Sequence, residues 1–202
     1  MSAIWLPSEP LLLASSSATR RALLESAGLP VETEAPRADE RAIEAGAPGG
    51  PQELARRLAA EKALVVSRRR PGRLVVGADQ VLALDGAVLH KPVGRKAAGR
   101  QIARLAGRAH RLHSAFTVVI DGEVRHEALD SARLTMRRLD EHAIGRYLDL
   151  AGAAVTQSVG AYQLEGAGIH LFERVEGDHS TILGLPLIPL IAALRRMGLL
   201  AF

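Results

Sequence analysis

Three observations predict an α/β fold built on a mixed sheet. Apolar runs of strand length alternate with helix-length segments whose leucines recur at helical spacing, the pattern of strand–helix–strand units. Two Asp-Gly dipeptides, Asp85-Gly86 and Asp121-Gly122, sit between apolar runs and have the composition of hairpin turns, so antiparallel pairs interrupt the alternation. No repeat, low-complexity tract or linker divides the 202 residues, a length that one domain with a sizeable core accommodates.

Element by element, residues 11–14 read as a buried strand and 18–27 as a helix stopped by Gly28, with Pro30 beyond it. Val31–Glu34 is a short strand, and residues 36–50, rich in Pro, Gly and acid, form a loop with room for a helical turn. Pro51 opens a helix to about Ser67, with Leu54, Leu58 and Leu64 on one face. Leu74–Leu84 is a strand that turns at Asp85-Gly86 into Val88–Lys91, which stops at Pro92. Residues 95–107 are a helix, and Ala109–Ile120 and Val124–Arg137 are two long strands around the second hairpin turn. A helix at 140–150 precedes a glycine-spaced, irregular stretch at 153–168; a strand at 169–176 and a helix at Pro186–Met197 follow.

Composition narrows the function classes. Almost half the residues are hydrophobic, which argues against disorder, yet aromatics make up only 3% and the core must be aliphatic. The absence of cysteine excludes disulfides, thiolate metal sites and cysteine nucleophiles. No signal sequence and no apolar run of membrane-spanning length is visible, so a cytoplasmic protein without a membrane partner is expected. The net charge of +4 comes almost wholly from arginine, scattered along helices and not interleaved with aromatics. That distribution reads as surface composition, and no nucleic-acid partner is expected. Lysine is so rare that Lys62 and Lys91 stand out from the background.

The strand at 11–14 breaks into Ser15-Ser16-Ser17, and a helix opens at once with Arg20 and Arg21 in its first turn. Hydroxyls, free backbone N–H groups and positive charge therefore meet at one strand-to-helix turn, which suits a phosphate. Arginine opposes the helix dipole there, by roughly 0.3–1 kcal/mol, and a bound anion would remove the conflict. The other reading is a serine N-cap beside solvated arginines. Asp79 lies within an apolar strand, where a carboxylate is costly unless paired or metal-bound. It is either a base or metal ligand approached past small Gly77 and Ala78, or a strand-end cap. Lys91 falls near the same end of that hairpin ribbon, as a site residue or a solvated edge charge. Helical spacing alone makes Lys62 a surface group and Asp39-Glu40 a solvated loop. The glycines of 158–168 lack the GxGxxG pattern, and His110, His113 and His179 lack zinc-ligand spacing.

Taken together, these segments resemble the Maf-like family, septum-formation proteins read as nucleoside triphosphate pyrophosphatases. Leu13-Ala14-Ser15-Ser16-Ser17-Ala18-Thr19-Arg20 is similar to the family's LASxSPRR, with Ala18 in place of proline. Asp39-Glu40 matches its acidic pair, Glu61-Lys62-Ala63 its helix lysine, and Gly77-Ala78-Asp79-Gln80 with Lys91-Pro92 its GADQ and KP. Gly160-Ala161-Tyr162 through Glu165-Gly166 matches GAY…EG, and Gly177-Asp178 through Gly184-Leu185-Pro186 matches GDxSxxxGLP. The likeness spans about residues 11–190.

The resemblance implies a single domain over residues 1–202, with an elongated sheet and a substrate cleft between two lobes, as in inosine triphosphatases. It implies hydrolysis of a nucleoside triphosphate to monophosphate and pyrophosphate, with a divalent cation (Mg²⁺, Mn²⁺ or Co²⁺), and a possible homodimer. Asp79 becomes the proton acceptor for water, Glu40 with Asp79 the metal carboxylates, and Arg20, Lys62 and Lys91 the phosphate-facing cations. Ser15 and Ser17 become hydroxyl donors. Thr19, Gln80 and Glu165 fall at positions that track base choice. Two of the three agree with the 7-methyl-GTP branch and none with the dTTP/UTP branch, while Thr19 agrees with neither. A second class of function, a nucleotide-binding regulator of cell division with little turnover, makes no use of Asp79.

Overall fold

The computed structural model describes residues 4–45 and 49–202. In chain order the elements are β1 (Leu11–Ala14), α1 (Ala18–Ser26), β2 (Val31–Thr33), α2 (Glu40–Ala45), α3 (Gly50–Arg69), β3 (Val75–Leu84), β4 (Ala87–Leu89) and α4 (Gly94–Leu105). They continue with β5 (Ala109–Ile120), β6 (Glu123–Met136), α5 (Glu141–Ala151), β7 (Phe172–Glu176), α6 (His179–Ile182) and α7 (Leu187–Arg196). The stretch read as irregular, 153–168, is laid down as three short 3-10 turns that continue to Leu171. The expected α/β class with a mixed sheet is what forms. Among the described residues seven strands form the sheet, in the order β2-β1-β3-β5-β6-β7 with β4 attached to β3. β1 is parallel to both β2 and β3, while β3–β4 and β6–β7 are antiparallel.

Both Asp-Gly dipeptides turn as read. Asp85 and Gly86 have φ of 50° and 81°, Asp121 and Gly122 of 52° and 76°, the double positive φ of a type I′ hairpin. Two boundaries differ from the sequence reading. The return strand ends at Leu89, where pairing with Leu82 stops, so Lys91 follows β4 and is not part of it. The four-residue helix α6 was not anticipated, because one polar turn carries no periodicity to read.

The chain forms two compact units, to each of which β3, β5 and β6 contribute residues. The first comprises residues 1–80, 114–130 and 179–202. Here the period-two alternation of β1 and β3 divides the core between the faces of the sheet. Leu11, Leu13, Val76 and Ala78 point to one side and bury with Leu24 of α1 and Leu190 and Leu194 of α7. Leu12, Ala14 and Val75 point to the other and bury with Ala63 and Val66 of α3. Helices on both faces are what a parallel pair requires. The second unit, residues 81–113 and 131–178, buries Ala98, Ile102 and Leu105 of α4 and Ile144, Tyr147 and Leu148 of α5, together with Leu112, Leu134 and Met136. Among the described residues no helix is long and apolar enough to cross a membrane.

Candidate functional site

Gly77 sets the geometry of the site. It lies on the α3 face of β3, between Val75 and Asp79. A Cβ there would overlap the Ala59 carbonyl oxygen and lie 2.6 Å from the Ala63 amide nitrogen and 2.8 Å from the Ala63 Cβ. Hydrogen in place of a side chain thus lets the backbone of α3 close onto the strand. One residue before Ala63, Lys62 comes over Asp79, two residues beyond Gly77. Its ammonium donates to Asp79 Oδ1 and lies 2.7 Å from Glu40 Oε1. Lys62 and Asp79 are 7% and 8% exposed, so the lysine that pattern placed on the surface is buried as one half of an ion pair. Glu40, at the start of α2, remains exposed.

The serine turn is built from the same register. Ala14 pairs with Gly77, so Ser15–Ser17 leave the sheet at the carboxyl end of β1 beside β3, the usual place for ligands in open α/β sheets. The buried Ser15 hydroxyl accepts from the Ser17 amide at 3.2 Å and from Arg20 Nη1 at 3.3 Å. Ser17 caps α1, its hydroxyl accepting from the Arg20 amide at 3.3 Å. Arg20 Nε donates to the Gly184 carbonyl at 2.8 Å. Burial pulls the guanidinium below the ordinary arginine value, while Asp79 and Glu40 pull it back up. It stays charged, since arginine does not deprotonate in proteins. Among the described residues Arg20 donates to Ser15 and Gly184, and its guanidinium is a five-donor fork of the kind that suits an oxyanion. Arg21, the other first-turn arginine, instead pairs with Glu25 at 2.7 Å. Thr19 is half-buried in the same turn.

Gln80 faces away from Asp79, as alternation along β3 demands. Its side-chain nitrogen donates towards the Thr181 and Ile182 carbonyls at 3.0 and 2.9 Å and the Ser114 hydroxyl at 3.0 Å. Ser114 donates to the Thr181 carbonyl at 2.7 Å, and the Thr181 hydroxyl donates to Asp130 at 2.8 Å. Sequence reasoning missed Ser114 and Asp130, and met Thr181 only as one of the polar groups of residues 177–186 that precede the last helix. For Ser114 a signal was present: with Thr117 it is one of two hydroxyl residues in the otherwise apolar second half of β5, residues 114–120.

Lys91 and Glu165 belong to the second unit, and both are exposed. Glu165 follows a tightly held segment. Gly160 and Ala161 have φ of 83° and 61°, and a Cβ on Gly160 would lie 2.8 Å from Leu82. The Ala161 carbonyl accepts from the Tyr147 hydroxyl at 3.0 Å, and the Tyr162 hydroxyl meets His110 Nε2 at 2.7 Å. Burial pushes His110 down to about 4 and Tyr147 up to about 12, so both stay neutral near pH 7.

For a metal, Glu40 and Asp79 offer oxygen donors only, gathered on a single ammonium. That set suits a hard cation that shares its shell with phosphate oxygens. Among the described residues no group of three or more His, Cys, Asp or Glu converges on a metal position. A separate cavity of about 450 Å³ beside β2 is lined by Arg21, Arg70, Arg73, Glu32 and Glu34. Its charges neutralise one another, Arg70 with Glu34 at 2.7 Å and Arg73 with Glu32 at 2.9 Å.

The family model described as Maf-like protein matches residues 10–197. A protein of Nitrobacter winogradskyi named nucleoside triphosphate pyrophosphatase is 56% identical over 202 residues, 98% of this chain and 99% of the relative. One of Mesorhizobium japonicum named 7-methyl-GTP pyrophosphatase is 50% identical over 193 residues, 94% of this chain and 97% of the relative. A solved structure from Mycobacterium abscessus, titled a nucleoside-triphosphatase or dITP/XTP pyrophosphatase, is a distant likeness. It has 19% identity and a TM-score of 0.37 over 64% of this chain and 73% of that one.

Proposed function

This chain belongs to the Maf-like family, and from that premise we propose that it hydrolyses a nucleoside triphosphate between its α- and β-phosphates. The observation that carries the reading is the buried Lys62 ammonium joining Asp79 to Glu40, with the charged, partly desolvated Arg20 close by. Phosphoryl transfer asks a protein for positioning and charge neutralisation more than for covalent help, and those are what these groups supply.

In the proposed reaction a water oxygen forms a bond to the α-phosphorus, and the bond from that phosphorus to the bridging oxygen breaks. Pyrophosphate leaves with the bond's electron pair. Asp79 takes the water proton on the carboxylate oxygen that Lys62 does not hold. Lys62 keeps that carboxylate and Glu40 in register, and Arg20 grips phosphate with its guanidinium fork. Ser15 and Ser17 shape the turn around it, and Lys91 keeps the phosphate-facing role that the resemblance implies. The three cations Arg20, Lys62 and Lys91 and the two carboxylates Asp79 and Glu40 sum to a single positive charge, so a triphosphate needs more. A divalent cation held by Glu40 and Asp79 would supply it, neutralising phosphate oxygens that complete its shell. Base preference is shifted away from dTTP and UTP. Glu165 is an acceptor for donor-bearing base edges, and Thr19 offers no aromatic face for a cationic methylated base.

A panel of common and modified nucleoside triphosphates tests the reading, with phosphate measured with and without added inorganic pyrophosphatase. Signal should appear only when the added enzyme cleaves pyrophosphate. Asp79→Asn should lower kcat by roughly 10²–10⁴-fold with KM little changed. Orthophosphate released directly, or an unchanged Asp79→Asn rate, would refute the assignment. Tight nucleotide binding without turnover would leave a nucleotide-binding regulator.

A further inference from the structure

We infer that Gln80 is a positioning residue for the phosphate grip, acting through the turn that holds Arg20 and not through the nucleobase; the inference rests on the pyrophosphatase reading. The Thr181 carbonyl is the junction. It accepts from Gln80 Nε2 at 3.0 Å, from the Ser114 hydroxyl at 2.7 Å and from the Gly184 amide at 3.1 Å. Gln80 also donates to the next carbonyl, Ile182, at 2.9 Å. Two adjacent carbonyls are thereby tied to β3 and β5, and with them the turn that ends at Gly184.

Gly184 in turn sets Arg20. Its carbonyl accepts the Arg20 Nε–H at 2.8 Å. Its φ of 98° is one that side-chain-bearing residues rarely adopt, and a Cβ there would press on Arg20 Nε at 3.3 Å and Nη2 at 3.4 Å. A guanidinium held by Ser15 on one side and Gly184 on the other presents its remaining donors in one orientation only. Arginine's value for phosphate lies in that planar, pre-oriented fork. The carboxamide nitrogen is wholly engaged by these acceptors, so Gln80 has no donor to offer a base. Loosening the turn costs phosphate affinity whatever base is attached.

Inorganic tripolyphosphate, which has no base, separates the two roles. Gln80→Met keeps the side-chain length but removes the donor. It should weaken tripolyphosphate binding, measured by calorimetry, by roughly three- to tenfold, the scale of one or two net hydrogen bonds. KM for every nucleoside triphosphate should rise by the same factor. The Arg20→Ala/Gln80→Met double variant should bind no worse than Arg20→Ala, because Gln80 acts through that side chain. Ser114→Ala, which removes a second donor from the Thr181 carbonyl, should reproduce the loss and serves if Gln80→Met does not fold. Wild-type tripolyphosphate affinity in both Gln80→Met and Ser114→Ala, a KM change confined to particular bases, or additive losses in the double variant would overturn the inference. Failure of the pyrophosphatase reading is a different result: wild-type protein releasing pyrophosphate from no nucleotide, whatever the tripolyphosphate affinities.

Discussion

Replacing Lys62 with methionine removes one charge from the interior and nothing else of comparable size. The unbranched apolar stem is kept, so the packing of that stem changes little. Two ion pairs are lost, and they differ in weight. With Asp79 both side chains are about a tenth exposed, 9% and 11%, whereas Glu40 is 59% exposed. Breaking a buried pair costs roughly 3–5 kcal/mol because the surviving charge is stranded, while an exposed pair contributes about 0–1 kcal/mol. The Asp79 contact therefore dominates. For a protein of this size each kcal/mol moves Tm by about 2–4 °C, so Lys62→Met should melt roughly 6–20 °C below wild type. Glu40→Gln should lie within about 1 kcal/mol of wild type. Urea unfolding followed by far-UV circular dichroism, with thermal melts at the same pH, measures both. A Lys62→Met protein within about 1 kcal/mol of wild type would refute the view that this pair is buried and structural.

Gly77→Ala drives a methyl group into the backbone of α3, which cannot rotate aside; overpacking of about 1–3 kcal/mol and a loss of pyrophosphate release are expected, and wild-type melting would contradict the close approach. Stability should fall as pH drops from 6.5 towards 4, because unfolded chains take up a proton that buried His110, held down to about 4, refuses. The full loss is about 3 kcal/mol and none of it is present above pH 6.5. His113, also held down by burial, adds to the slope, and His110→Phe should flatten it in urea titrations at stepped pH. Chelation should abolish turnover and leave the melting temperature unchanged, with Mg²⁺ or Mn²⁺ restoring the rate; turnover that survives EDTA would remove the metal from the proposal.

Much of the fold was legible, because its signals are local. Gly28, Asp85-Gly86 and Asp121-Gly122 end their elements for reasons confined to a few residues, and alternation along β3 is enough to set Asp79 and Gln80 on opposite faces. Partners were not legible. Lys62 sits in an ordinary helical pattern, and its burial is decided by the missing side chain at Gly77, fifteen residues away and meaningful only once the strand lies under the helix. Gln80 carried a sequence reading as a substrate-binding position that tracks base choice. What it touches depends on carbonyls of α6, an element too short to leave a pattern. Positive φ at Ala161 is equally invisible, since alanine gives no hint of it.

The two carboxylates on Lys62 have unequal mechanical footing. Asp79 is carried by the middle of a ten-residue strand, whereas Glu40 opens a six-residue helix that buries none of its side chains. One arm of the pair is bolted to the frame and the other hangs on a short spring. A divalent cation held beside the ammonium, as proposed, would have one fixed ligand and one compliant one, which would let ions of somewhat different radius be held without straining the sheet. Ionic strength should loosen only the outer arm, because exposed charges are screened and buried ones much less so.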